Sequence, residues 1–424
     1  MKDTAKRTAS REEATRNIAL TLTLPAELRD TLHDLVVGCG TLALAAMLEA
    51  DRTALCGERY ARAAERTASR AGHVQGELAM GGRRIAVTRP RVRGRDGREA
   101  VLPTWEHFRD QDPLTGRAVE QMLVGVSTRR YARSLEPAPA AVKTRGTSKS
   151  AVSRRFVAAT SKNVSDVLGR DLAALNLTAI FIDGIHVSEH VVLVALGVDD
   201  QGNKHVLGLA EGATENAVVC ASLLANLHER GLIQDRPLLF VIDGSKALAK
   251  AIRAAYGSRA LIQRCQVHKR RNVLEHLPKP LHAQVGSQLS AAYQAKSVAR
   301  ARRLLEGTAR WLERKHPGAA ASLREGLEET LTVTKLGLPP ALVRTLATTN
   351  AIENLNGAIR RTARNVKTWK DGSMVVRWTA VAVDDASKRF RKVRGVEGMP
   401  KLVAALKAHA DAVAGRVDDV SKAA

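Results

Sequence analysis

Two apolar runs in this chain end in the same dipeptide, and that repetition constrains the fold more than any other feature. Thr178-Ala179-Ile180-Phe181-Ile182-Asp183-Gly184 and Leu238-Leu239-Phe240-Val241-Ile242-Asp243-Gly244 each have the length of one buried strand. Strands that end in an acid place those acids along one edge of a sheet. Asp183 and Asp243 can then lie side by side although 59 residues separate them. A helix opening at Asn350-Ala351-Ile352-Glu353-Asn354-Leu355-Asn356 offers a third acid, Glu353. Three carboxylates make a hard, oxygen-only donor set suited to Mg²⁺ or Mn²⁺, two per active site. Two such ions about 3.5–4 Å apart activate a water or a 3′-OH and stabilise the leaving oxygen of an in-line displacement at phosphorus.

The segments between the two acids fix their context. Val191–Val198 and His205–Leu209 flank the turn Asp199-Asp200-Gln201-Gly202-Asn203, which predicts a hairpin. Asn216–Arg230 reads as an amphipathic helix stopped by Gly231. A helix over Ala247–Tyr256 and a short strand over Ala260–Arg264 follow the second acid. Strand, hairpin, helix, strand, helix, strand is the order of a ribonuclease-H-like α/β core, expected over residues 176–274. Residues 275–345 are Ala-, Leu-, Arg- and Glu-rich with helical spacing, as in Val298–Trp311 and Ala320–Leu331, and predict an all-α insertion. The core resumes over 346–395 with the Glu353 helix, and 396–424 reads as a C-terminal helix and tail.

The N-terminal part has another character. Residues 1–15 are polar and charge-mixed and predict disorder, and the rest of 1–80 reads as helical, with Pro25 able to sit in a first turn. Seven arginines against one acid lie between Arg83 and Arg98, alternating with apolar residues and meeting the turn Gly94-Arg95-Asp96-Gly97. This predicts a hairpin with one basic face carrying Arg83, Arg84, Arg91 and Arg93. Val126–Arg133, opened by Ser127, and a second capped helix from Thr147, carrying Lys149, Arg154 and Arg155, predict a helix-turn-helix-like unit within 81–175. The linker between them, Glu136–Gly146, is longer than such motifs usually have.

Lys plus Arg number 67 against 43 Asp plus Glu, a net charge of +24 over 424 residues. An excess this large implies a polyanionic partner, with double-stranded DNA the first candidate. Aromatic residues are only 3%, so the core must rest on Ala, Leu and Val. The four cysteines show no paired spacing, the apolar run Val191–Val198 is far too short to span a bilayer, and no apolar signal core follows the basic N-terminus. The expectation is a cytoplasmic, nucleoid-associated protein without a membrane partner.

The blocks Ile262-Gln263-Arg264-Cys265-Gln266-Val267-His268-Lys269-Arg270-Arg271-Asn272-Val273-Leu274 and Thr348–Asn356 strongly resemble the prokaryotic Mutator-type insertion-sequence transposases, whose catalytic acids form a DDE triad. Phe181–Gly184 matches the family's first catalytic Asp, Phe240–Gly244 the second, and Asn350–Asn356 the Glu. The likeness runs over roughly residues 80–395. It implies active-site support by Cys265 and His268 of a Cys-x-x-His pair, and by Arg360, seven positions past the Glu. The 109 residues between Asp243 and Glu353 suit the family's helical insertion. One departure is Val218-Val219-Cys220, where family members often carry a Trp. What the resemblance implies further is a homodimer or larger homo-oligomer that binds terminal inverted repeats, cleaves DNA strands and joins them to target DNA.

Lys269, Arg270, Arg271 and Arg361 are expected along the DNA path. Cys265 and His268 also resemble half a zinc site, but no second ligand pair follows at suitable spacing. Two other readings remain open in the sequence. One is a DNA-binding regulator or decayed element product without catalysis, which loss of an acid would favour. The other is a related nuclease on the same core.

Overall fold

The computed structural model describes residues 32–60, 68–80, 83–110, 113–135, 144–145, 148–214, 216–232 and 236–423. The expected disorder of residues 1–15, the helix start at Pro25 and most of the Glu136–Gly146 linker lie outside them. The chain divides into two compact units, Met1–Ala159 and Thr160–Ala424.

In the first unit, α1 (Leu32–Cys56) precedes β1 (Ala68–Met80) and β2 (Arg83–Gly94), which pair antiparallel. The helical expectation for 1–80 therefore fails over 68–80. The partner of the arginine-rich strand is the segment before it, and Gly94–Gly97 closes only onto the isolated bridge Arg93–Glu99. Ile85, Val87, Pro90 and Val92 are buried. The inward phase slips by one residue between Val87 and Pro90, near a register shift between Arg70 and His73 in β1, and this turns Arg91 and Arg93 away from the core.

Helices α2 (Pro103–Asp110) and α3 (Pro113–Leu123) follow, then β3 (Thr144–Arg145) beside β2. The expected helix over Val126–Arg133 is absent. Val126 and Ser127 are irregular, and a four-residue 3₁₀ turn, Tyr131–Ser134, is anchored by buried Tyr131. Gly125, at φ +100, breaks the helical run before it can start. The second expected helix is present as α4 (Lys149–Gly169), with Ser148 Oγ accepting from Ala151 N at 3.2 Å.

The second unit holds a five-stranded sheet in the order β6-β5-β4-β7-β8. Strands β4 (Leu177–Val187), β5 (His190–Asp199) and β6 (Lys204–Gly212) run antiparallel. Strands β7 (Leu239–Ile242) and β8 (Leu261–Arg264) extend the sheet in parallel from β4. One correction concerns β4, which does not end at Asp183 but continues to Val187, because Ile185 and Val187 are also buried and pair with β5.

Alternation along the strands sorts their side chains into two layers. Ile180, Ile182, Phe240 and Ile242 face α5 (Ala217–Glu229) and α6 (Lys246–Tyr256). Phe181, Ile185, Leu239 and Val241 face α13 (Pro340–Leu346), α14 (Asn350–Ala363), α15 (Gly372–Ser387) and α16 (Met399–Ala423). The remaining helices are α7 (Gln266–Glu275), α8 (Lys279–Tyr293), α9 (Val298–Glu313), α10 (Pro317–Arg324), α11 (Leu327–Thr330) and α12 (Thr332–Lys335). Residues from α7 to α11 share their own apolar cluster, including Val273, Val285, Leu305 and Leu323. The expected continuous helix over Ala320–Leu331 is split at Glu325-Gly326, where Gly326 adopts φ +62.

Candidate active site

The ladder of three parallel strands stops one residue short of the site. Ile182 pairs with Ile242, and Ile242 with Arg264. The next residue on each strand is Asp183, Asp243 and Cys265, so these three stand in a row across the sheet. Asp183 and Asp243 continue the side-chain phase of Phe181 and Val241, which puts both carboxylates on the layer that α14 covers. That helix is seated by Ile352, Leu355 and Ile359, each buried in this layer and each contributing about 1.5–3 kcal/mol. Glu353 lies in its first turn, where the positive end of the helix dipole favours a carboxylate.

Each acid is held by a neighbour. Asn356 Nδ2 donates to Asp183 Oδ2 at 2.8 Å, and the amide is 1% exposed. Ser245 N donates to Asp243 Oδ1 at 2.9 Å, and Ser245 Oγ caps α6 through Leu248 N. Gly244 makes this turn possible: its φ is +118, and a Cβ there would run into the Arg264 guanidinium. Thr349 Oγ1 donates to Glu353 Oε1 at 2.7 Å. Burial first, then the charge of Asp243, pushes the Asp183 carboxyl up to about 6, with Glu353 adding to the effect and His268 opposing it.

The Cys-x-x-His spacing has a local cause. Cys265 is the N-cap of α7, and its Sγ accepts from His268 N three residues on, at 3.5 Å. The same sulfur accepts from Thr349 N at 3.4 Å, which ties the start of α7 to the start of α14. His268 Nδ1 lies 3.3 Å from Thr349 Oγ1, and Nε2 lies 3.8 Å from Glu353 Oε1. Hydrogen bonding to Cys265 raises the His268 pKa against the effect of burial, and the charges of Cys265, Glu353 and Asp183 act the same way. Burial pushes the Cys265 thiol up, but the hydrogen bonds from His268 and Thr349 outweigh it and hold the thiol below its usual range.

Among the described residues, one His/Cys/Asp/Glu group has its ligand atoms within 4.8 Å of one another: Cys265, His268 and Glu353. Geometry alone would favour a soft metal there. Cys265 is fully buried with its sulfur already engaged by backbone donors, so the group reads better as a node that orients Glu353.

The expected DNA-contacting residues divide. Arg84, Arg93, Lys149, Arg154, Arg270, Arg271 and Arg361 are exposed, and Arg83 is half-buried; Arg360, expected as active-site support, is exposed as well. Arg84 lies 3.8 Å from Glu77, and Arg91 donates to Glu99 at 3.2 Å, so part of the basic strand face is already neutralised. Arg155 is half-buried, with NH1 3.5 Å from Thr115 Oγ1.

Lys269 is a correction. Its side chain is 0% exposed, and Nζ donates to the carbonyls of Ser322 and Glu325 at the C-terminal end of α10. Unpaired carbonyls at a helix end attract a cation, and Arg264 NH1 also donates to Glu325 O at 3.0 Å. Burial, reinforced by Arg264, pulls the Lys269 ammonium down to about 8. Lys269→Ala is expected to lower stability by roughly 2–4 kcal/mol through unsatisfied carbonyls and a cavity. Arg270→Ala and Arg271→Ala are expected to stay within about 0.5 kcal/mol of wild type while weakening DNA binding. Equal thermal shifts from all three would contradict this division.

With the site's geometry established, comparison with known proteins gives the family. The model of the family described as "Transposase, Mutator family" matches residues 12–393. The chain belongs to the Mutator family of transposases. It is 29% identical over 254 residues, 58% of this chain and 76% of the relative, to the transposase for insertion sequence element IS6120 of Mycolicibacterium smegmatis. It is 35% identical over 184 residues, 43% of this chain and 52% of the relative, to a probable insertion-sequence transposase of Corynebacterium diphtheriae. Over 407 residues, 90% of this chain and 92% of the relative, it is 27% identical to the transposase for IS1081 of Mycobacterium tuberculosis. No helix among the described residues is long and apolar enough to cross a membrane.

Proposed function

We propose that this chain is the transposase of an insertion sequence and cuts and joins DNA strands by phosphoryl transfer at Asp183, Asp243 and Glu353. The observation that carries the reading is the meeting of three acids: Asp183 and Asp243 on adjacent parallel strands, with Glu353 in the first turn of the helix packed over them. The sheet order, three antiparallel strands extended by two parallel ones, supports a ribonuclease-H-like core.

The donor set fits two Mg²⁺ or Mn²⁺ ions. It is all oxygen, and burial first, then the charges of Asp243 and Glu353, makes Asp183 ionise with difficulty, a cost that bound divalent cations would offset. Bound there, the ions would lower the pKa of the attacking water or 3′-OH and stabilise the departing oxygen. The chain's own residues do the positioning. Asn356 fixes the rotamer of Asp183, the Ser245 amide fixes Asp243, and Thr349 fixes Glu353. His268 lies beside Glu353, and its raised pKa means that it takes up a proton there more readily than a free imidazole does.

The partner is double-stranded DNA, the element's terminal inverted repeats and the target, approached by a homodimer or larger homo-oligomer. The +24 charge and exposed Arg93, Lys149 and Arg154 support that reading. Titrating the metal-free protein with Mn²⁺ under calorimetry tests the metal site. Two ions per chain, and loss of binding in Asp243→Ala, is the expected result; no binding by the wild type contradicts it.

A further inference from the structure

A cleft of about 670 Å³ opens beside Glu353, entirely within the second unit. Asn350, Glu353 and Asn354 of α14 line one side. Lys204 from the start of β6, Arg344 from α13, and Arg391, Lys392 and Arg394 from the segment joining α15 to α16 line the rest. Glu353 is the one acid among the lining residues. None of the five cations has a carboxylate partner within ion-pair distance among the described residues, in a unit where many other Lys and Arg side chains do.

The arrangement is held rather than incidental. Val393 N donates to Gly202 O at 2.9 Å, pinning the 391–394 segment to the β5–β6 turn. Thr345 Oγ1 donates to Arg394 O at 2.9 Å, pinning it to the helix that carries Arg344. Gly395 adopts φ +80, and a Cβ there would press on the backbone of Ala341 and Leu342. Gly202, at φ +77, packs against the side chains of Val396 and Val393. Five like charges fixed around one cleft repel one another and draw in a polyanion.

We propose that this cleft is the path of a DNA strand to the carboxylates, with Lys204, Arg344, Arg391, Lys392 and Arg394 contacting successive phosphates. The inference rests on the proposed function for the identity of the polyanion, but its location comes from the cleft alone.

The test is binding of a fluorescein-labelled DNA duplex and of a single strand, both of arbitrary sequence, to the full chain across a salt series in chelator. Each phosphate contact contributes about 0.7–0.9 to the slope of log affinity against log salt. The triple variant Arg344→Gln, Arg391→Gln, Arg394→Gln is expected to bind more weakly, with a slope flatter by about 2–3 and an unchanged melting temperature. The triple lysine variant at the same positions is expected to restore the slope. Should the glutamine triple fold poorly, Arg391→Gln and Arg394→Gln singly are each expected to flatten it by about 0.7–0.9. Wild-type slopes in these variants would overturn the proposal even if the wild type cuts DNA. Flattened slopes with a wild type that never cuts under Mg²⁺ would support the cleft and count against the catalytic reading instead.

Discussion

Asp183→Asn is expected to give a protein that is more stable than the wild type in chelator at pH 7 and yet cuts no DNA. The stability gain follows from linkage. The Asp183 carboxyl is raised in the folded state from 3.8 to about 6, so the folded chain binds this proton more tightly than the unfolded chain does. Below about pH 4 both states are protonated and the group costs nothing. Stability then falls as pH rises from about 4 to about 6, and above that the penalty is constant, at most about 3 kcal/mol. Asparagine cannot ionise and escapes the penalty. The difference in melting temperature between variant and wild type is expected to widen from pH 4 to pH 6.5 and then level off. Mg²⁺ is expected to raise the melting temperature of the wild type and not of the variant. A variant that melts below the wild type at pH 7 in chelator, or parallel pH profiles, would contradict the electrostatic account of the site.

Asn356→Leu is expected to slow strand cleavage by about 10–100-fold while leaving DNA affinity unchanged. The side chain is buried and donates to Asp183 Oδ2. Leucine keeps the branched four-atom side chain but cannot donate, so the hydrogen bond to the carboxylate is lost. Asn356 Oδ1 has no protein partner although it is buried, so the amide is held chiefly by its contact with Asp183. A weaker apparent affinity for Mn²⁺ with an unchanged melting temperature would mark a positioning role. Full activity in Asn356→Leu would show that Asp183 needs no such partner.

How far the sequence speaks depends on the distance between cause and effect. The strands leading to Asp183 and Asp243 were legible because each is an unbroken apolar run of strand length, and the structure gives the Gly its reason at Gly244. The helix over Ala217–Glu229 was legible because Asn216 caps it and Gly231 ends it. Strand β1 was not, since Ala68–Met80 holds one β-branched residue, Val74, and two glycines. Gly76 is there because Trp105, 29 residues away, leaves no room for a Cβ. Lys269 read as one of a basic triplet; its burial depends on the end of α10, more than fifty residues on. The cations beside Glu353 come from three separate segments and form no pattern until the chain is folded. The pairing of Thr349 with Glu353 and of Asn356 with Asp183 likewise needed the fold, although both residues sit in the block that carries the family resemblance.

The most direct test of the central claim is a strand cleavage and joining assay with the purified chain and DNA carrying the ends of its element. Mg²⁺, Mn²⁺ and EDTA would be compared, with Glu353→Gln as the control. The account predicts nicking and joining with either metal, none in EDTA, and none from Glu353→Gln although that variant binds the same DNA. Cleavage that survives EDTA, or that Glu353→Gln retains, would contradict a metal-dependent active site built on Asp183, Asp243 and Glu353.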